Sequence, residues 1–132
     1  MSYRQRPGDQ PLPVEVPGAI SSHQWVIADL SLDKSLPPAL FEAARASLNA
    51  REALGVGRYG QLLQPGNGRD VMRDVWEETV DQVAYLATAV REGHEVVDFY
   101  HRAVDLMLDL VSLMDGVPRH LTVFRPFDRR PQ

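Results

Sequence analysis

Five acids crowd one short stretch of the chain, DVMRDVWEETVDQVAYL, from Asp70 to Leu86: Asp70, Asp74, Glu77, Glu78 and Asp81. On a helical wheel they share about 100° of arc, beside an apolar face carrying Val71, Met72, Val75, Trp76, Val80, Val83, Leu86 and Val90. Carboxylates stacked in this way repel one another. Two arrangements relieve the repulsion. Either water solvates the face, with Arg73 and Arg91 close by, or a hard cation with oxygen ligands sits among the acids.

A second acidic group follows in EVVDFYHRAVDLMLDLVSLMDG, Glu95 to Gly116. Its last three turns are apolar nearly all round, the pattern of a buried helix, so Asp105 and Asp109 are expected inside the structure. A buried carboxylate must be neutralised, hydrogen-bonded or bound to a cation. Gly93 breaks the chain between the two acidic segments, which therefore read as an antiparallel helix hairpin. Reflection about Gly93 sets Asp81 against Asp105 and Glu77 against Asp109. Convergence of Glu77, Glu78, Asp81, Asp105 and Asp109 would make a site for Mg²⁺, or Mn²⁺ in its place. Without metal, at least one of these carboxyls is then expected to titrate at raised pH. The competing reading is a solvated acidic face.

Other residues able to act on a ligand are Arg51, Arg58 and Arg69, whose forked guanidinium groups match phosphate oxygens. Arg51 serves equally well in an internal ion pair with the acidic stripe. Tyr85, on the acidic side of its helix, is placed to stack on a base, whereas Trp76 reads as core. His94 reads as solvated, and His101 as a hydrogen-bond partner of Asp105. No nucleophilic triad, phosphate-binding loop or dinucleotide fingerprint is present.

The elements that position these residues read as an all-α fold: the hairpin, plus one further helix from Pro38 to about Leu54, opened by Pro37-Pro38 and stopped at Gly55. The acidic hairpin is expected over about 69–92 and from about Glu95 to Gly116. Residues 1–20 read as a disordered or extended arm, 21–116 as a single helical domain and 117–132 as an extended tail. Two short β-prone segments lie at the edges, Gln24–Leu32 and Leu121–Phe124, and they are candidates to pair. Three helices leave Trp76, Val83, Phe99 and Met107 poorly covered, so a homodimer or homotetramer is expected to complete the bundle.

The chain of 132 residues is sized for one domain and has no cysteine, which excludes disulfides and thiolate chemistry. Net charge is −4, with the acid concentrated in the middle, which speaks against a nucleic-acid surface. One lysine against thirteen arginines hints at a GC-rich genome. No apolar run reaches membrane-span length and no signal peptide is read at the N-terminus, so the expected setting is cytoplasmic, away from membranes.

EExxD on one helix, followed one hairpin later by an acidic pair on an apolar helix, resembles the MazG-like all-α nucleoside triphosphate pyrophosphohydrolases over roughly Pro38 to Gly116. The family pattern is ExxE, a spacer, then ExxD. Here the first half is Glu78-Thr79-Val80-Asp81, preceded by Glu77, with aspartate at its last position. The second half is either Glu95-Val96-Val97-Asp98, by spelling, or Asp105 and Asp109, by level on the hairpin. The resemblance implies Mg²⁺ held by Glu78, Asp81, Asp105 and Asp109, catalytic roles for Glu77 and Glu78, and Asp74 with the arginines and Tyr85 at the substrate. It further implies hydrolysis of a nucleoside triphosphate to monophosphate and pyrophosphate. The Tyr59–Asp70 loop also resembles small proteins of phages and actinobacteria. A non-catalytic nucleotide-binding or protein-interaction module is the alternative.

Overall fold

The computed structural model describes residues 10–119 and 124–126. They form four helices and no strand: α1 (Ser22–Ser31), α2 (Pro38–Tyr59), α3 (Val71–Arg91) and α4 (Val97–Asp115). Described residues up to Arg69 make one compact unit and those from Asp70 make another. The single domain expected over residues 21–116 spans that boundary.

In the first unit, α1 packs against α2. The segment expected as a β-prone strand, Gln24–Leu32, is helical because its start is capped. Ser21 is buried, and its hydroxyl accepts the Gln24 amide at 3.2 Å. Ser21-x-x-Gln24 is the spelling of a capping box. His23, Ile27 and Leu30, at helical spacing, form its half-buried face, and local β-propensity yields to the cap and this packing. Ser21 also donates to Glu52, and Gln24 Nε2 donates to Asn49 Oδ1 at 2.9 Å and Glu52 Oε2 at 3.2 Å. These bonds tie the start of α1 to the second half of α2.

Gly55 does not stop α2. The helix runs through Gly55 and Gly57 and ends at Gly60, whose φ of 74° is the left-handed C-cap that glycine adopts without Cβ strain. A glycine inside a helix costs only about 1 kcal/mol, so two of them weaken the helix without breaking it.

Residues 10–20 are bound in place. Val14 N–H donates to Asn67 O at 2.9 Å, and Arg69 reaches Pro11 O at 3.0 Å. The Gln64 amide accepts from Val16 N at 2.9 Å and donates to Val16 O at 3.1 Å and Ala19 O at 2.8 Å. The described part of the arm forms no helix or strand, turns at Val16–Ala19, where Ala19 N–H donates to Val16 O at 3.2 Å, and is strapped to the α2–α3 loop.

In the second unit, α3 and α4 pack together across the turn at Gly93, whose φ is 91°. Asp70 caps α3 by accepting from Arg73 N at 3.1 Å. Met72, Trp76, Val80, Val83, Leu86 and Val90 are half-buried, while Val71 and Val75 of the same expected face are exposed. On α4, His101, Ala103, Val104 and Leu110 are buried. The tail's β-prone segment lies largely outside the described residues. Phe124, its last member, packs its ring edge-on to Tyr100 at 5.9 Å and to His101 at 5.7 Å, and Trp25, the expected centre of the other β-prone segment, is helical. No helix among the described residues is long and apolar enough to cross a membrane.

Candidate functional site

The α4 acids find their counter-charge in the chain's own tail. Asp105 Oδ1 accepts from Arg119 Nη2 at 2.7 Å and from the Phe124 backbone N–H at 3.0 Å, and Oδ2 accepts from Arg125 Nη1 at 2.9 Å. Arg119 Nη1 also reaches Asp109 Oδ1 at 2.5 Å and the Asp105 carbonyl at 2.7 Å. The carboxyl of Asp105 is therefore held down to about 2, first by the Phe124 N–H and then by the two guanidinium groups. The Arg119 guanidinium is in turn pushed up by Asp105 and Asp109. This reverses the raised pKa expected of converging acids, because arginines stand where a cation was expected.

Burial differs between the two. Asp105 is 20% exposed at its side chain, but Asp109 is 67% exposed, so only Asp105 is even partly enclosed. His101 is buried, with its ring edge-on to Phe124 at 5.7 Å, and Asp105 is held by the tail groups. Sequence reasoning missed Arg119 and Arg125. The available signal was a tail rich in arginine directly after an acidic helix.

The α3 acids divide. Asp70 is a cap, and Asp74 lies in the first turn, where the helix dipole favours negative charge. Glu77 takes the Arg73 guanidinium at 2.8 Å. Glu78 and Asp81 are exposed and enter no hydrogen bond or ion pair among the described residues. Tyr85 is exposed on the same helix. Among the described residues no group of three or more His, Asp or Glu is gathered closely enough to hold a metal ion. The five-carboxylate convergence is not formed there.

The literal ExxD pair, Glu95 and Asp98, lines a groove of about 780 Å³ at the start of α4. Arg102, Arg125, His94 and His101 line it with them. His94 itself is exposed and lies 3.8 Å from Glu92.

Arg51, Arg58 and Arg69 belong to the first unit. Arg69 is committed to Pro11, and Arg58 lies 5.8 Å over the Tyr59 ring. Arg51 is exposed.

No protein-family model, curated protein or solved structure matches the chain.

Proposed function

We propose that this protein is a Mg²⁺-dependent nucleoside triphosphate pyrophosphohydrolase that works as a homo-oligomer. The observation that carries the reading is the state of Glu78 and Asp81. Of the five acids that the resemblance gives to metal or catalysis, Glu77, Asp105 and Asp109 have arginine partners, whereas Glu78 and Asp81 stand one turn apart and uncommitted among the described residues. Two such carboxylates match the donor set of Mg²⁺, which is held by one or two carboxylates together with waters and substrate phosphates. The bound ion would neutralise triphosphate oxygens. Glu78 would orient the water that attacks the α-phosphorus, breaking the α–β bridge and releasing monophosphate and pyrophosphate.

Support for self-association comes from packing. Trp25, Leu40, Leu54, Leu106 and Leu113 are exposed, and among the described residues Ala103, Val104 and Leu110 are the buried apolar ones. Such unmet apolar surface is met by other copies of a chain in obligate assemblies.

The test is pyrophosphate release from a panel of nucleoside triphosphates with Mg²⁺, wild type against Glu78→Gln. The reading requires activity in the wild type and its loss in the variant, with the Mg²⁺-induced rise in melting temperature lost in parallel. A wild-type chain inert toward every triphosphate ends it. A second reading, a non-catalytic helical nucleotide-binding or interaction module, is favoured by one observation: Arg119 and Arg125 already cancel Asp105 and Asp109.

A further inference from the structure

The outer face of α4 carries Phe99, Arg102, Leu106, Asp109 and Leu113, spaced three and four residues alternately. All five are exposed, Phe99 at 54%, Leu106 at 49% and Leu113 at 72%. The spacing is a heptad seam over the length of the helix, apolar at one core position and charged at the other. The charges are of opposite sign, and each has unused capacity. Arg102 lies 4.9 Å over the Phe99 ring and has no carboxylate partner among the described residues. Asp109 gives one oxygen to Arg119 and keeps the other.

We infer that this face binds a second copy of the same chain, with the two α4 helices antiparallel about a two-fold axis at Leu106. That axis sets Leu106 against its own counterpart and Phe99 against Leu113 of the second copy. It also brings Arg102 to within a residue's rise of Asp109 of the second copy. Symmetry makes each contact twice, as a two-fold interface demands. A parallel pairing would instead set Arg102 on Arg102 and Asp109 on Asp109, and like charges in register oppose it. The pairing rests on the self-association reading above, to which it gives a surface, and is independent of nucleotide hydrolysis.

Charge exchange tests it on the full chain. Arg102→Asp and Asp109→Arg are purified separately and sized by sedimentation, with helical content checked by circular dichroism. Each alone faces like charge across the axis, so its dimer dissociation constant rises on the order of 100-fold over wild type. Mixed in equal amounts they form a heterodimer, because both charge pairs are then restored. Leu106→Asp, at the axis itself, gives monomers. A wild-type dimer unaffected by these changes, or variants that do not re-associate on mixing, overturns this surface and leaves the oligomer reading standing. A wild-type chain that stays monomeric at high micromolar concentration gives the face to another partner and overturns both.

Discussion

Gln64 holds the N-terminal arm, and removing its amide is the sharpest test of the first unit. The residue is 5% exposed, and its side chain makes three hydrogen bonds, at 2.9, 3.1 and 2.8 Å, to the backbone of Val16 and Ala19. Each neutral bond is worth about 0.5–1.5 kcal/mol net. Val16 and Ala19 are half-buried, so water recovers part of what Gln64→Ala takes away, and the cost is about 2–4 kcal/mol. A unit of this size has only about 3–9 kcal/mol to lose, so the variant approaches unfolding. Urea denaturation measures the loss, and hydrogen exchange at the Val16 amide shows whether the arm has come away. Gln64→Glu separates hydrogen bonding from packing. It keeps the acceptor for Val16 N–H but aims a carboxylate at two carbonyl oxygens, so it destabilises at least as much as alanine. An unchanged urea midpoint for Gln64→Ala, with Val16 equally protected, refutes the strap.

The remaining predictions concern the tail, the α3 acids and the end of α2. Asp105 has a depressed folded pKa of about 2 against an ordinary 3.8, so its contribution is fully present above pH 3.8 and is lost as pH falls through about 2. Near-ultraviolet signals from Tyr100 and Phe124 should report that loss, and Asp105→Asn should flatten the profile and leave the Phe124 amide exchanging freely at neutral pH. Asp109→Asn should weaken the hold on Arg119 without raising stability, read as a thermal midpoint no higher than wild type. Arg73→Ala frees Glu77 and should tighten Mg²⁺ binding in calorimetry if the α3 acids hold the ion, since it removes a competing cation. Gly57→Ala, in a helical conformation with nothing within 4 Å of the new Cβ, should stabilise by about 0.5–1 kcal/mol, whereas Gly60→Ala at φ 74° should destabilise by a similar amount; thermal melts of the pair should move in opposite directions.

The helical class and the hairpin around Gly93 were legible because long amphipathic periodicity is a strong local signal. The start of α1 is written in Ser21-x-x-Gln24, a local signal that competes with the β-propensity of Trp25-Val26-Ile27. Helix length was less so. Gly55 and Gly60 are alike in sequence, and what makes Gly60 the stop is its left-handed backbone. The arm's bonds were hidden because Val16 and Gln64 lie 48 residues apart. The partners of Asp105 were hidden too, because they lie 14 and 20 residues further on, in the tail. Asp105 needs a cationic partner on physical grounds, but nothing local says whether that partner is a metal ion or Arg119 and Arg125.

Part of the repulsion in the α3 stripe is relieved within the helix itself, near its start. Asp70 satisfies amides at the helix start, Asp74 sits in the first turn at the positive end of the helix dipole, and Glu77 is paired with Arg73. Each device works only near the N-terminus or one turn from a cation, and neither reaches Glu78 or Asp81. Those two point to solvent beyond the first turn, where no dipole favours them, so they are the acids whose position the helix itself does not account for. Glu78→Gln and Asp81→Asn should consequently leave metal-free stability unchanged or slightly raised, because they remove repulsion without removing a bond. A clear loss of stability in either variant, measured by urea denaturation without divalent ions, would show the residue to be structural and would remove it from the metal site.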